Sequence, residues 1–292
     1  MTALLMTLIS LLSCLVNLHR AQPIATGPLL DEGINRYQSG DYAGAISNFT
    51  RIITIEPRNA EAYLHRGIVR SRVNDYAGAV ADDTKAMELN PRDTAARINR
   101  ADAKSRLGDH AGAEADFTKA IELHPGFPRV YLQRGNARFQ AGDYAGAIAD
   151  FHRTLQLTPS DLDACMCCGN AEYARKNYPE AVVSYSKAIQ LSPENLSAYY
   201  QRGNAEAARA NYAGALTDYD RAIQIDPQRA EAYVARSRIK YQLKTYSGAI
   251  ADCEKAIALN PKQADAYLIR SSAQAALKIA RNGPGDGEAK TN

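Results

Sequence analysis

The sequence predicts an all-α array of seven helical hairpins followed by one further helix. Proline returns every 34 residues, at Pro57, Pro91, Pro125, Pro159, Pro193, Pro227 and Pro261. A fixed period of this size marks stacked repeats, each too small to bury its own apolar face. Repeats started at residues 26, 60, 94, 128, 162, 196 and 230 bring further columns into register. The eighth place is small, from Gly33 and Gly67 to Ser237, and the twentieth is alanine throughout, from Ala45 to Ala249. The twenty-fourth is mostly aromatic: Phe49, Phe117, Phe151, Tyr185 and Tyr219.

Each half of a repeat reads as a helix. The stretch from Ala60, AEAYLHRGIVRSRVN, spaces apolar residues three or four apart, which makes one helical stripe. A turn follows at Gly40-Asp41, Asn74-Asp75, Gly108-Asp109 and Gly142-Asp143, where the carboxylate can cap the next helix. The second helix opens on a tyrosine (Tyr42, Tyr76, Tyr144, Tyr178, Tyr212, Tyr246; His110 is the exception) and runs to the proline. Proline has no amide donor and ends it. Small eighth and twentieth residues let the two helices approach closely.

In period, small columns, aromatics and proline, the chain resembles a tetratricopeptide-repeat protein over residues 26–281. The resemblance implies a right-handed superhelical solenoid of seven helix-turn-helix repeats, 26–263, with a capping helix over 264–281. Local departures stand at Arg97 and Cys165, in a tyrosine column, and at Asp83 and Cys253, in the late aromatic column. Those repeats are expected to pack less well.

The flanks differ in kind. Residues 1–24 are a hydrophobic leader whose first eighteen, MTALLMTLISLLSCLVNL, carry no charge. A secretory signal peptide or signal anchor is expected, with lipidation of Cys14 as an alternative. That places the protein outside the cytoplasm, periplasmic or secreted, or tethered to a membrane through residues 1–18. The tail, 282–292, is polar and glycine-rich and is expected to be disordered. With 35 basic and 32 acidic residues the net charge is +3, which lacks the basic footprint of a nucleic-acid binder.

Two columns change together. The seventh place holds Arg66, Arg100, Arg134, Arg202 and Arg236, but Glu32 and Cys168 in repeats one and five. The twenty-third holds Asp82, Asp116, Asp150, Asp218 and Asp252, but Asn48 and Ser184 in the same two repeats. The pattern implies a structural ion pair within each repeat, because a buried charge left alone costs about 3–5 kcal/mol.

Catalytic chemistry finds no foothold: there is no nucleophile elbow, phosphate loop or zinc-protease motif, and no cofactor is implied. Cys165, Cys167 and Cys168 admit a metal or redox reading, since i,i+3 cysteines share a helical face. Core filling is the favoured reading, because Cys165 and Cys168 stand where other repeats place tyrosine and arginine. No metal site is therefore assigned.

The remaining candidate is a binding groove. By resemblance, the first helix of each repeat lines a concave face through its second, fifth, ninth, twelfth and thirteenth places. The ninth reads Asn136, Asn170, Asn204 and Arg238 in repeats four to seven. An asparagine amide both donates and accepts, so a ladder of three can hold an extended peptide backbone. Gln133, Gln201, Phe139, Tyr173 and Tyr200 supply neighbouring contacts. The fifth place carries no lysine, so the family's carboxylate clamp for chaperone tails is incomplete. The expected function is a non-catalytic scaffold for a protein or peptide partner. The alternative is a regulatory or substrate-recruiting subunit of a transferase complex.

Overall fold

The structure is a computed structural model and describes residues 26–281. The leader and the tail, with the readings attached to them, lie outside the described residues. Fifteen helices and no strand occur among the described residues. In chain order they are α1 Thr26–Gln38, α2 Tyr42–Ile55, α3 Ala60–Arg72, α4 Tyr76–Leu89, α5 Thr94–Arg106, α6 His110–Leu123, α7 Pro128–Gln140 and α8 Tyr144–Leu157. There follow α9 Leu162–Ala174, α10 Tyr178–Leu191, α11 Leu196–Ala208, α12 Tyr212–Ile225, α13 Ala230–Gln242, α14 Tyr246–Leu259 and α15 Ala264–Arg281. None is long and apolar enough to cross a membrane.

The turn inside each hairpin has a local cause. Its fifteenth residue is left-handed, served by Gly40, Gly108 and Gly142 and by Asn74, but also by Lys176, Ala210 and Lys244. Left-handed backbone is costly for the last three, so tertiary packing imposes the turn there. The next residue caps the second helix: Asp41, Asp75, Asp109 and Asp143 each accept from an amide three residues on. Close approach explains the eighth column. A Cβ on Gly135 would stand 2.6 Å from the Phe151 ring, so a larger residue there would push the aromatic aside.

Packing divides the chain after Gly126 into two compact units. The first, helices α1 to α6, has a core of Ala45, Phe49, Ile52, Ala62 and Val69 at its start. The second, α7 to α15, buries Ala147, Phe151, Cys168 and Ala171 in one cluster and Ala215, Tyr219, Ala235 and Ile239 in another. The sites described next each lie within one unit.

Candidate functional site

The five Arg–Asp couples are bidentate. Arg66 donates through Nε and Nη2 to Asp82 at 2.9 and 2.7 Å. The same fork joins Arg100 to Asp116, Arg134 to Asp150, Arg202 to Asp218 and Arg236 to Asp252. All five aspartates are buried. Two further features escaped the column reading. The remaining guanidinium nitrogen reaches the twenty-fifth place of the preceding repeat, as from Arg66 to Thr50 at 3.0 Å and from Arg202 to Ser186 at 3.0 Å. A second cation from the eleventh place joins the carboxylate: Arg70, Lys104, Arg138 and Lys240 lie 2.8–2.9 Å from their aspartates.

That eleventh place inverts in repeats five and six, where it holds the buried Glu172 and Glu206. The sixteenth place changes with it. Arg36, Arg70 and Arg138 face Asp41, Asp75 and Asp143, whereas Glu172 and Glu206 accept from Asn177 and Asn211 Nδ2 at 2.8 Å each. Both columns are legible in the sequence, and comparing them would have found the swap.

The groove-side residues all lie in the second compact unit, and the structure corrects one expectation about them. Asn170 and Asn204 do not have both halves of their amides equally free. Tyr185 and Tyr219 hydroxyls donate to Asn170 and Asn204 Oδ1 at 2.8 and 2.9 Å. Burial pushes both phenols up from the ordinary tyrosine range, so each hydroxyl remains a donor. Each carbonyl already has one partner within its repeat, so the NH2 ends are the freer halves, and that of Asn204 also donates to Gln201 Oε1 at 3.0 Å. Asn136 is exposed, and in its repeat the place of Tyr185 and Tyr219 is taken by Phe151, which has no hydroxyl.

The neighbouring side chains form aromatic and charged edges. Phe139 packs on Tyr144 and Tyr173 on Tyr178, with ring centroids 5.4 and 5.3 Å apart. Tyr200 contacts the Tyr219 ring at 6.0 Å and lies under the Arg229 guanidinium. Arg238 is exposed and pairs with Asp265 at 2.8 Å, which closes the row with a salt bridge instead of a fourth amide. Gln133 and Gln201, at the sixth place, are half-buried beside Leu132 and Tyr200.

Repeat five is built differently. Cys165 and Cys168 are buried and Cys167 half-buried. Burial raises all three thiols, that of Cys167 to about 11, so none is an activated nucleophile. His152, from the preceding repeat, places Nε2 3.9 Å from Cys168 Sγ. The sequence reading missed this neighbour because the two residues are 16 apart and meet only once the helices pack. Among the described residues no group of three or more His, Cys, Asp or Glu side chains is arranged to hold a metal ion. Beside Cys165 and Ser184, which stand where repeat six has Tyr199 and Asp218, there is a cavity of about 350 Å³.

Comparison with known proteins addresses the fold. Family models described as tetratricopeptide repeat match residues 30–94, 66–128, 98–161, 197–229 and 230–263, and one described as TPR repeat matches 169–208. No curated protein matches. Among solved structures, a tetratricopeptide repeat protein from Parabacteroides merdae is 20% identical over 85% of this chain and 98% of its own, with a TM-score of 0.62. The C-terminal part of a TPR repeat-containing protein from Cytophaga hutchinsonii is 20% identical over 82% of this chain and 98% of its own, at 0.70. YrrB, described as a TPR protein with an unusual peptide-binding site, is 23% identical over 65% of this chain and 97% of its own, at 0.56.

Proposed function

The chain belongs to the tetratricopeptide-repeat family, and on that premise we propose that it is a non-catalytic scaffold holding an extended peptide segment of a protein partner. The observation that carries this reading is the pair of tyrosine–asparagine hydrogen bonds at Asn170 and Asn204. Each fixes an amide with its NH2 as the freer end for a ligand, and successive NH2 groups on adjacent repeats suit a row of peptide carbonyls. Asn136 extends the row by one repeat, while Tyr173 and Tyr200 add apolar contact. The peptide-binding site named for YrrB supports a ligand of this class. Each hydrogen bond contributes only about 0.5–1.5 kcal/mol, so a partner must make several contacts at once. We extend the proposal to location: the eighteen uncharged residues that open the leader suit a scaffold exported or tethered to a membrane, which cell fractionation would test.

The test is affinity capture with the full chain and with an Asn136→Ala/Asn170→Ala/Asn204→Ala variant. Loss of at least one partner is expected, and an unchanged partner list would remove the groove reading.

A further inference from the structure

The cavity in repeat five is the imprint of lost side chains. In its neighbours an arginine spans from its own aspartate to the twenty-fifth place of the preceding repeat, as Arg202 does from Asp218 to Ser186. In repeat five Cys168 replaces the arginine, Ser184 the aspartate, and His152 occupies the preceding twenty-fifth place. Cys165 likewise stands where repeats four and six have Tyr131 and Tyr199, whose rings lie under Arg153 and Arg221, the counterparts of Lys187. The shorter side chains leave about 350 Å³ lined by His152, Leu155, Gln156, Cys165, Ser184 and Lys187. Val183 completes the rim and is 68% exposed.

Charge decides what the cavity takes. The equivalent lysines of repeats two and three, Lys85 and Lys119, are held by Glu88 and Glu122 at 2.8 and 2.6 Å. In repeat five the corresponding residue is Gln190, and among the described residues no carboxylate forms an ion pair with Lys187. Asp161, at the start of the same helix, accepts from the Ala164 amide at 2.8 Å as the cap of α9. The cysteine in its lining is neutral, since burial holds the Cys165 thiol protonated. A half-buried ammonium without a counter-ion disfavours a second cation, so a partner's guanidinium cannot replace the missing arginine.

We propose that this cavity binds a carboxylate carried on a short aliphatic stem. Lys187 supplies the charge, His152, Gln156 and Ser184 the hydrogen-bond donors, and Leu155 and Val183 the apolar wall. The same chemistry belongs to the glutamate side chain of a protein partner and to a free short-chain carboxylic acid. The site uses none of the groove asparagines and stands independently of the groove reading.

The test uses the full chain and follows the His152 ring resonance, assigned by its loss in His152→Gln. The probes are N-acetylglutamate α-amide, its neutral isostere N-acetylglutamine amide, and butyrate. A saturable shift is expected with the carboxylates and none with the neutral amide. Lys187→Met, which keeps the stem, should weaken binding about tenfold or more, as a lost charge-assisted bond implies. Refilling the cavity with Cys165→Tyr, the residue that repeat six has under Arg221, should abolish binding. Tighter binding of the glutamate probe assigns a partner side chain, and tighter binding of butyrate a free acid. Absence of saturation with both carboxylates, an equal response to the neutral amide, or an unchanged affinity in Lys187→Met would overturn the proposal. Lys187→Met suffices should the refilled variant fail to fold.

Discussion

Repeats five and six are neighbours in the second compact unit and close nearly the same hairpin with different chemistry. Repeat six clamps α11 to α12 with Arg202 forked on Asp218, a carboxylate whose side chain is only 4% exposed. Repeat five has Cys168 and Ser184 there and holds α9 to α10 through a contact that both repeats share, Tyr185 buried against Gly169 and hydrogen-bonded to Asn170 as Tyr219 is to Asn204. The hairpin therefore does not require an ion pair. It requires that whatever polar group is buried be matched, and a matched set is exchanged whole.

Breaking one set by halves should have the largest effect. Asp218→Ala leaves Arg202, itself one quarter exposed, with Ser186 as its remaining short contact, and is expected to cost about 3–5 kcal/mol in urea unfolding. Converting both residues to repeat five's chemistry, Arg202→Cys/Asp218→Ser, should cost about 2 kcal/mol or less, because no charge stays buried alone. Equal losses would show that the hairpin depends on the charges themselves.

The first compact unit contains the same contrast in adjacent residues. Asp82 accepts from Arg66 and Arg70, whereas Asp83 is fully buried with Asn99 Nδ2 at 2.6 Å and its Oδ1 unpartnered. Burial pushes the Asp83 carboxyl up to about 8, opposed by the Asn99 bond and the more distant Arg100, and reinforced by Asp82 and Asp93. Its folded value lies above the unfolded one, so its contribution is complete below about pH 4 and is lost as pH rises towards 8. Between pH 6 and pH 8 the first unit should lose about 2–3 kcal/mol, at 1.36 kcal/mol per unit of pH. Asp83→Asn should flatten that slope in thermal melts. A slope unchanged by the substitution would assign the pH dependence elsewhere.

Much of the fold was legible because each repeat restates it. Helix starts such as Ala60 and Ala230 follow from period and turn chemistry, and the Arg–Asp couples from two columns that change together. Other contacts join columns that pattern alone did not connect. The Tyr185–Asn170 bond needs the phenol of one helix set against the ninth place of the other, and it determines which half of the amide a ligand meets. His152 reaches Cys168 across a repeat boundary. The cavity is a difference of side-chain volumes, so it became visible only with the helices in place.

The smallest expected effect sharpens the comparison most finely, because it tests a swap of single residues. Asn211 serves two masters in repeat six: its Nδ2 donates to buried Glu206 at 2.8 Å and its Oδ1 accepts from the Gly214 amide at 3.3 Å. Aspartate does the capping as well, as Asp143 shows in repeat four, but there the eleventh place is Arg138. Asn211→Asp keeps the cap and sets a second carboxylate against Glu206, so a loss of about 1–2 kcal/mol is expected at neutral pH. Adding Glu206→Arg restores the pairing of repeat four and brings the eleventh-place cation towards Asp218, as Arg138 approaches Asp150. The double variant should recover most of the loss in urea unfolding. Failure to recover it would mean that the two columns change together for a reason other than charge.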